Sequence, residues 1–269
     1  MNPRRENSGQ SKASPGAIAI VLARAGSKGV PGKNTAMVAG RVCVAWTIEH
    51  AQETPGIGSV FVSTDDEKVA EIARAMGAGV VERPATLAGD TASVDDAARH
   101  ALAEIERSAG SSSAPIVILY ANVPVRPRDL SRRAIGRLAE TGADSVQSFS
   151  RVGKHHPWWM VRVGEHGELS AWEGDTLFHG VYRRQMLPPA FVPDGGVMVV
   201  TRRALLREIP GVPDGPHAFL GRDRRAIETS EGDVIDIDAP IDLVVANAML
   251  SSRSAPGAGI QRGVMEKSA

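Results

Sequence analysis

Much that would name a function class is missing from this chain. Its 269 residues include one cysteine, Cys43. That excludes an intrachain disulfide framework and a four-cysteine zinc site, and a reducing cytoplasm fits best. Cys43 lies in the apolar run Val42-Cys43-Val44-Ala45-Trp46, a packing position rather than a catalytic one. Net charge is absent too: Lys+Arg and Asp+Glu number 31 each, so the chain as a whole is not built to bind nucleic acid or an acidic membrane. No apolar run reaches membrane-spanning length. The polar opening stretch, 1–16, lacks the apolar segment of a secretory signal and reads as a disordered lead-in. His155-His156 has no carboxylate spaced with it for a tetrahedral zinc site, and there is no Ser-His-Asp nucleophile elbow.

What is present starts at the first apolar run, Ala17 to Ala23, which reads as a buried strand. It opens directly into Arg24-Ala25-Gly26-Ser27-Lys28-Gly29-Val30-Pro31-Gly32-Lys33-Asn34. Glycines let a backbone approach a ligand closely, and N–H groups and cations supply positive potential. Arg24, Lys28 and Lys33 are the cations, and no carboxylate interrupts them, so a polyphosphate is the natural partner. A P-loop fits poorly by count, which leaves a P-loop kinase or ATPase a distant alternative. It needs four residues between Gly and Gly-Lys-Ser/Thr, whereas five separate Gly26 from Gly32, and Asn34 replaces the hydroxyl residue.

Strand and helix signals then alternate. Strands are expected at Ala17–Ala23, Ser59–Ser63, Gly79–Glu82, Ile116–Ala121 and Ser145–Phe149, with helices at Val44–Gln52, Asp66–Met76, Ser93–Arg107 and Asp129–Thr141. In the third helix Val94, Ala97, Ala98, Ala101, Leu102 and Ile105 share one face. This rhythm predicts an α/β fold: a mostly parallel sheet with helices on both faces, and a ligand crevice at the carboxyl ends of the strands. From 151 to 193 the pattern breaks into aromatic, His, Arg and Pro residues, read as an inserted lobe or extended hairpin. Gly195–Thr201 resumes a core strand, Asp233–Asp238 reads as another strand end, and Ala239–Leu250 reads as a closing helix with Pro240 in its first turn. The organisation is thus a main domain, 17–250, with the insertion 151–193 inside it and a loose tail, 251–269.

A polyphosphate site calls for a divalent cation held by oxygen. Asp236 and Asp238, two apart on a strand, would face one side and share an ion; equally, they could cap the following helix. Asp65 or Asp66 could cap the second helix, and Asp90 or Ser93 the third. Arg83 is placed to read a base edge or a phosphate, and Trp158 and Trp159 to pack or to stack on a ligand.

Six ordered segments resemble the acylneuraminate cytidylyltransferases, or CMP–sialic acid synthetases: Ala23 to Gly29 with Lys33-Asn34; Ser63-Thr64-Asp65; Arg83-Pro84 with Leu87-Ala88 and Asp90 to Ser93; Pro124 with Arg126; Arg184-Gln185, Leu187-Pro188 and Asp194-Gly195; and Asp236-Ile237-Asp238. The resemblance spans roughly residues 17–250 and implies a Rossmann-like domain whose inserted segment is a dimerisation arm, each arm reaching the partner's active site in a homodimer. It implies CTP as donor, Mg2+ as cofactor and a sialic-acid-like sugar acid as acceptor. Arg24, Lys28 and Lys33 would hold the triphosphate, with Ala23 and Ser27 in the same loop. Asn34, Arg83, Asp90, Ala92 and Ser93 would surround the nucleoside, and Asp236 and Asp238 would bind the metal. With the three loop cations these two acids form the catalytic set. The acceptor set would be Tyr120, Asn122, Arg126, Trp159, Arg184, Gln185 and Asp194. Departures from the family concentrate in that set: Tyr120-Ala121-Asn122-Val123-Pro124-Val125-Arg126 replaces Gln before Pro-Thr-Ser-Pro-Leu-Arg, Trp159 replaces a lysine, and Asp194 replaces an asparagine. Another acceptor, such as a sugar phosphate or phosphonate, another base, or a non-catalytic nucleotide binder are the alternatives.

Overall fold

The computed structural model of the chain describes residues 16–26, 28–89 and 91–254. Ser27, Asp90, most of the opening stretch and the end of the tail, for which the sequence raises expectations, lie outside these residues. The strands are β1 (Ala17–Ala23), β2 (Met37–Val38), β3 (Arg41–Val42), β4 (Ile57–Thr64), β5 (Gly79–Glu82), β6 (Ile116–Tyr120), β7 (Ser145–Arg151), β8 (Val161–Val163), β9 (Leu169–Ala171), β10 (Phe191–Val200) and β11 (Arg224–Thr229). The helices are α1 (Cys43–Glu53), α2 (Glu67–Ala75), α3 (Val94–Ala109), α4 (Leu130–Thr141), α5 (Arg202–Leu205) and α6 (Pro240–Ser254).

Seven strands form one sheet in the order β11-β7-β10-β6-β1-β4-β5. All seven residues of β1 are buried, because helices cover both of its faces. One core layer joins β1, β4 and β6 to α1, α2 and α4 through Val44, Ile48, Val69 and Leu138; the other joins the opposite face to α3 through Ala98, Leu102 and Ile105. The face predicted for α3 is the one it buries. Leu102, 1% exposed, illustrates the energetics: truncation to Ala at such a site costs about 2–5 kcal/mol. Two helices start where side chains satisfy free backbone N–H groups: Asp66 accepts from Lys68 N at 2.9 Å, and Ser93 accepts from Asp96 N at 3.1 Å.

The sheet is mostly parallel: β1 pairs in parallel with β4 and β6, β4 with β5, and β7 with β11, while β10 runs antiparallel between β6 and β7. β6, β7 and β11 therefore end at the same sheet edge as β1. Asp233–Asp238 corrects the expected strand. It is a loop, with one isolated bridge from Ile235 to Val125. The strand of this region is β11 just before it. With three charged residues in six and only Ile227 and Thr229 buried, this edge strand offers no apolar run to read. The closing helix runs to Ser254, four residues past its expected end.

The segment 151–193 carries the small β8–β9 hairpin and single 3₁₀ turns at Pro157–Trp159, Leu177–Gly180 and Arg184–Met186. It holds ten of the fourteen large apolar side chains exposed among the described residues, including Trp172, Tyr182 and Met186. No helix among the described residues is long and apolar enough to cross a membrane.

Candidate active site

Parallel register brings Ala23 beside Thr64, and Leu22 beside both Ser63 and Tyr120, so three strand ends meet where the cationic loop begins. Ala23 itself is buried under the loop. The loop is then pinned from several directions. Ala25 N donates to Asp65 Oδ1 at 2.8 Å, and the buried Asn34 donates from Nδ2 to Arg24 O at 2.9 Å. Gly32, at φ 67°, makes the left-handed turn into the 3₁₀ helix Lys33–Thr35. The amide of Asn34 is thereby spent on the loop backbone, and Asp65 anchors the loop while its neighbour Asp66 caps α2. Sequence reading left open which of these two aspartates caps.

The second acidic element reaches the same place. Lys33 Nζ lies 2.6 Å from Asp238 Oδ1, across 205 residues of chain. Gly29 is packed so closely that an added Cβ would stand 2.2 Å from Asp238 O. The acidic segment is laced to the loop after β6: Ile235 N donates to Val125 O, Ile237 N donates to Asn122 O, and Asn122 Nδ2 donates to Asp236 Oδ1 and to Ile237 O. The capping alternative for the pair is answered by Asp242. Its Oδ2 accepts from Asp238 N at 3.0 Å and Ala239 N at 2.7 Å, which leaves the carboxylates of Asp236 and Asp238 turned to Asn122 and Lys33.

Burial, and then the neighbouring charge of Asp238, push the Asp236 carboxyl up to about 6, with Lys33 pulling the other way. Two acids held this close repel, and a divalent cation with oxygen ligands would relieve that repulsion. Among the described residues no cluster of three or more His, Cys, Asp or Glu could hold a metal alone. Two carboxylates plus substrate phosphates are the set magnesium commonly takes, so the donors fit.

Loop, Asp238 and strand ends line a cavity of about 290 Å³, with Asp236 behind it on Asn122. Arg24, Lys28, Lys33, Asn34, Arg83, Ala92, Ser93, Tyr120, Asn122 and Asp238 all line it, so most of the predicted nucleotide set comes together here. Arg83 is buried and tethered by Nε to Ser63 Oγ at 3.1 Å and by Nη2 to Ser63 O at 2.8 Å; burial pulls its guanidinium down to about 10. Burial holds the Tyr120 phenol up to about 12, so it is a neutral donor. A wall of Leu22, Leu87, Val94 and Ala97 completes the cavity. This wall was not predicted as a site. Leu22, Val94 and Ala97 read as ordinary core positions and Leu87 as part of a loop motif, although a flat ring needs such a surface.

The rest of the predicted acceptor set lies elsewhere. Asp194 supports the backbone of β10 at its register shift, accepting from Ser148 Oγ, from Gly196 N at 2.9 Å and from Thr229 Oγ1 at 2.6 Å. Trp159 packs within the inserted segment, donating from Nε1 to Val181 O at 2.7 Å, and Trp158 stacks on His179 at 4.6 Å. Arg184 pairs with Glu231 at 2.8 Å, and with Gln185 it lines a separate cavity of about 740 Å³ beside Arg151 and Asp233. Arg126, within the loop after β6, is buried, donates from Nη2 to Tyr120 O at 3.3 Å and lines a separate cavity of about 120 Å³ with Glu49, His50 and Glu53. Cys43 is fully buried, and burial pushes its thiol up to about 12, which excludes a thiolate nucleophile.

Residues 18–156 match the family model described as Cytidylyltransferase. The chain is similar to the N-acylneuraminate cytidylyltransferase of Streptococcus agalactiae serotype III, 32% identical over 71% of this chain and 45% of that protein. It is 42% identical to the enzyme of the same name from Escherichia coli O18:K1:H7, over 85% of this chain and 51% of that one. It thus spans about half the length of these relatives. The CMP-N,N'-diacetyllegionaminic acid synthase of Legionella pneumophila is 27% identical over 87% of this chain and 95% of its own. Among solved structures, a CMP:2-keto-3-deoxy-manno-octonic acid synthetase complexed with CTP superposes with TM-score 0.64 at 17% identity, covering 88% of this chain and 99% of that chain. That last likeness concerns the fold.

Proposed function

This chain belongs to the cytidylyltransferase family, and we propose that it transfers CMP from CTP to a hydroxyl of a sialic-acid-like or related 2-keto-3-deoxy sugar acid, releasing pyrophosphate. The observation that carries this reading is the meeting of Lys33 and Gly29 with Asp238 at one end of a cavity whose other wall is apolar. Cations for a phosphate tail, an acid for a metal and an apolar surface for a base then line one cavity.

The residues divide the work. Arg24, Lys28 and Lys33 neutralise the triphosphate, and Lys28 and Lys33 stabilise the charge that grows on the departing pyrophosphate. Magnesium, held by Asp236 and Asp238, would supply charge neutralisation at the phosphates. Asp236 Oδ1 is occupied by Asn122. Oδ2 faces Gly195, where a Cβ would sit 3.5 Å from it and 3.5 Å from the Tyr120 ring, so Oδ2 is the oxygen left for metal or acceptor. Arg83 and the apolar wall receive the nucleoside, and Tyr120 and Asn122 face the incoming acceptor.

Arg184 is to meet the acceptor carboxylate across a homodimer, each inserted segment serving the partner's cavity. The exposed apolar surface of that segment, and the placement of Arg184 outside its own chain's cavity, support this. A single buried thiol and a nucleotide donor suit the cytoplasm.

A pyrophosphate-release assay with each of four nucleoside triphosphates, magnesium and a panel of 2-keto-3-deoxy sugar acids tests the reading. Release with CTP and an acid of this class is expected. Release only with a sugar phosphate or phosphonate would replace the acceptor, and binding of CTP without release would overturn transfer itself.

A further inference from the structure

The cavity of about 740 Å³ between the end of β7, the turn after β11 and the inserted segment is left unused by this chemistry. Its lining brings Arg184 against Glu231. Arg184 Nη2 donates to Glu231 Oε2 at 2.8 Å, and both side chains are half-exposed. The pair sits directly over Gly153. A Cβ added there would collide with Arg184 Nη2 and stand 2.6 Å from Glu231 Oε2, so any larger residue would part the two.

Glu231 is placed by a turn of its own. Ser230 N donates to Asp233 Oδ2 at 2.9 Å, Asp233 N donates to Ser230 O at 3.0 Å, and Gly232 takes φ 85°. Arg133, which also lines the cavity, donates to Glu228 O at 3.0 Å. Arg151 completes the cationic lining, but Glu231 holds Arg184. An exposed ion pair of this kind is weak, and a guanidinium fork takes phosphate as readily as carboxylate. Left bare, Arg184 would hold any small anion. Held by Glu231, it yields to a ligand whose further contacts offset the lost pair.

We propose that Glu231 is a specificity-determining residue: it occupies Arg184 as an internal carboxylate, which a sugar acid bound in the partner's cavity displaces and a free small anion does not. This rests on the reading that Arg184 meets the acceptor carboxylate. Glu231 and Arg184 belong to the same chain, so the pair travels together to the partner and is exchanged there. The acceptor acid takes over the guanidinium while its remaining groups engage the cavity, and Glu231 turns to water. A small anion brings no such further contacts and leaves the pair closed.

Pyrophosphate release by the full chain tests this, at saturating CTP, with the 2-keto-3-deoxy sugar acid of the panel that wild type uses fastest. Pyruvate, the smallest 2-keto acid, is the competing anion. In Glu231→Gln, KM for the sugar acid should fall about two- to fivefold, and pyruvate should inhibit at a correspondingly lower concentration. Its kcat, KM for CTP and melting temperature should hold. Gly153→Ala keeps both charges but parts them, and should shift KM and pyruvate inhibition in the same direction. In Arg184→Met, KM for the acid should rise about tenfold or more, and adding Glu231→Gln should change nothing further. An unchanged or raised KM in Glu231→Gln, with Arg184→Met still impaired, would make the pair a structural tie and overturn the assignment. A lower KM without stronger pyruvate inhibition would overturn it too. An unchanged KM in Arg184→Met would remove Arg184 from the acceptor site, a failure of the underlying reading and distinct from failure of Glu231.

Discussion

Two parts of this molecule treat their side chains in opposite ways. From Ala17 to Arg126 the chain buries its apolar residues in layers on both sides of the sheet and ties its polar ones to nearby backbone: Asn34 to Arg24, Arg83 to Ser63, Asn122 to Ile237. From 151 to 193 it exposes rings and methionines, pairs only short strands, and sends Arg184 to Glu231 rather than into the cavity. The first part, with the 236–238 segment docked on it, draws its cavity lining from one chain. The second has the surface of a part that meets something else. On the proposed reading, the nucleotide site is made rigid in advance by a single domain, whereas the acceptor site, shared between copies, would be assembled only when they meet.

This contrast can be broken at its tightest point. Gly29→Val should push the loop off the Asp238 carbonyl. Overpacking of this kind costs about 1–3 kcal/mol, and with the displaced loop proposed as the phosphate site, CTP affinity should fall by about ten- to a hundredfold. Calorimetric titration checks this; unchanged affinity would mean that the loop works without the contact.

A smaller effect probes the core beneath the site. His50 donates or accepts at 2.8 Å with Ser131 Oγ, and burial, then the Arg126 charge, push its pKa from 6.5 down to about 3. The folded value is depressed, so the unfolded chain takes up a proton that the folded chain refuses. The stabilisation is complete above about pH 6.5 and is lost as pH falls towards 3, at up to about 1.4 kcal/mol per pH unit. Urea unfolding at pH 7 and pH 5 should therefore show a loss in wild type up to about 2 kcal/mol larger than in His50→Gln. Parallel losses in the two proteins would place His50 in contact with water.

The smallest effect on the chain itself is expected in the inserted segment. Tyr182 is 76% exposed, with the Arg183 guanidinium 5.4 Å from its ring. Tyr182→Ser should change the unfolding free energy by no more than about 0.5 kcal/mol while weakening self-association in analytical ultracentrifugation. A large loss of stability with unchanged mass would make this segment part of the monomer's own core.

The same division decides what could be read from the chain. β1, its cationic loop and the buried face of α3 were legible, because apolar runs and helical spacing leave local marks. β11 was not, because Arg224-Arg225-Ala226-Ile227-Glu228-Thr229 is an edge strand buried on one side only. The mistaken strand at Asp233–Asp238 followed from an alternation of Ile and Asp that in fact belongs to a loop stitched to Asn122 and Val125. The sequence left Asp236 and Asp238 open between a metal pair and helix caps, and the contact of Gly29 with Asp238 was not anticipated, since no local pattern announces a meeting of chain segments so far apart. Arg126 was read as an acceptor residue; its burial without a matched charge is visible only in three dimensions.

The central claim is that the cationic loop and the acid pair serve one ligand. It is tested most directly by titrating CTP, with magnesium present, into wild type, Lys33→Met, Asp238→Asn and the double variant. Each single change should weaken binding by about tenfold or more, and the double variant should lose markedly less than the sum, because Lys33 and Asp238 act on the same phosphates. Strictly additive losses, or full affinity in either single variant, would contradict it.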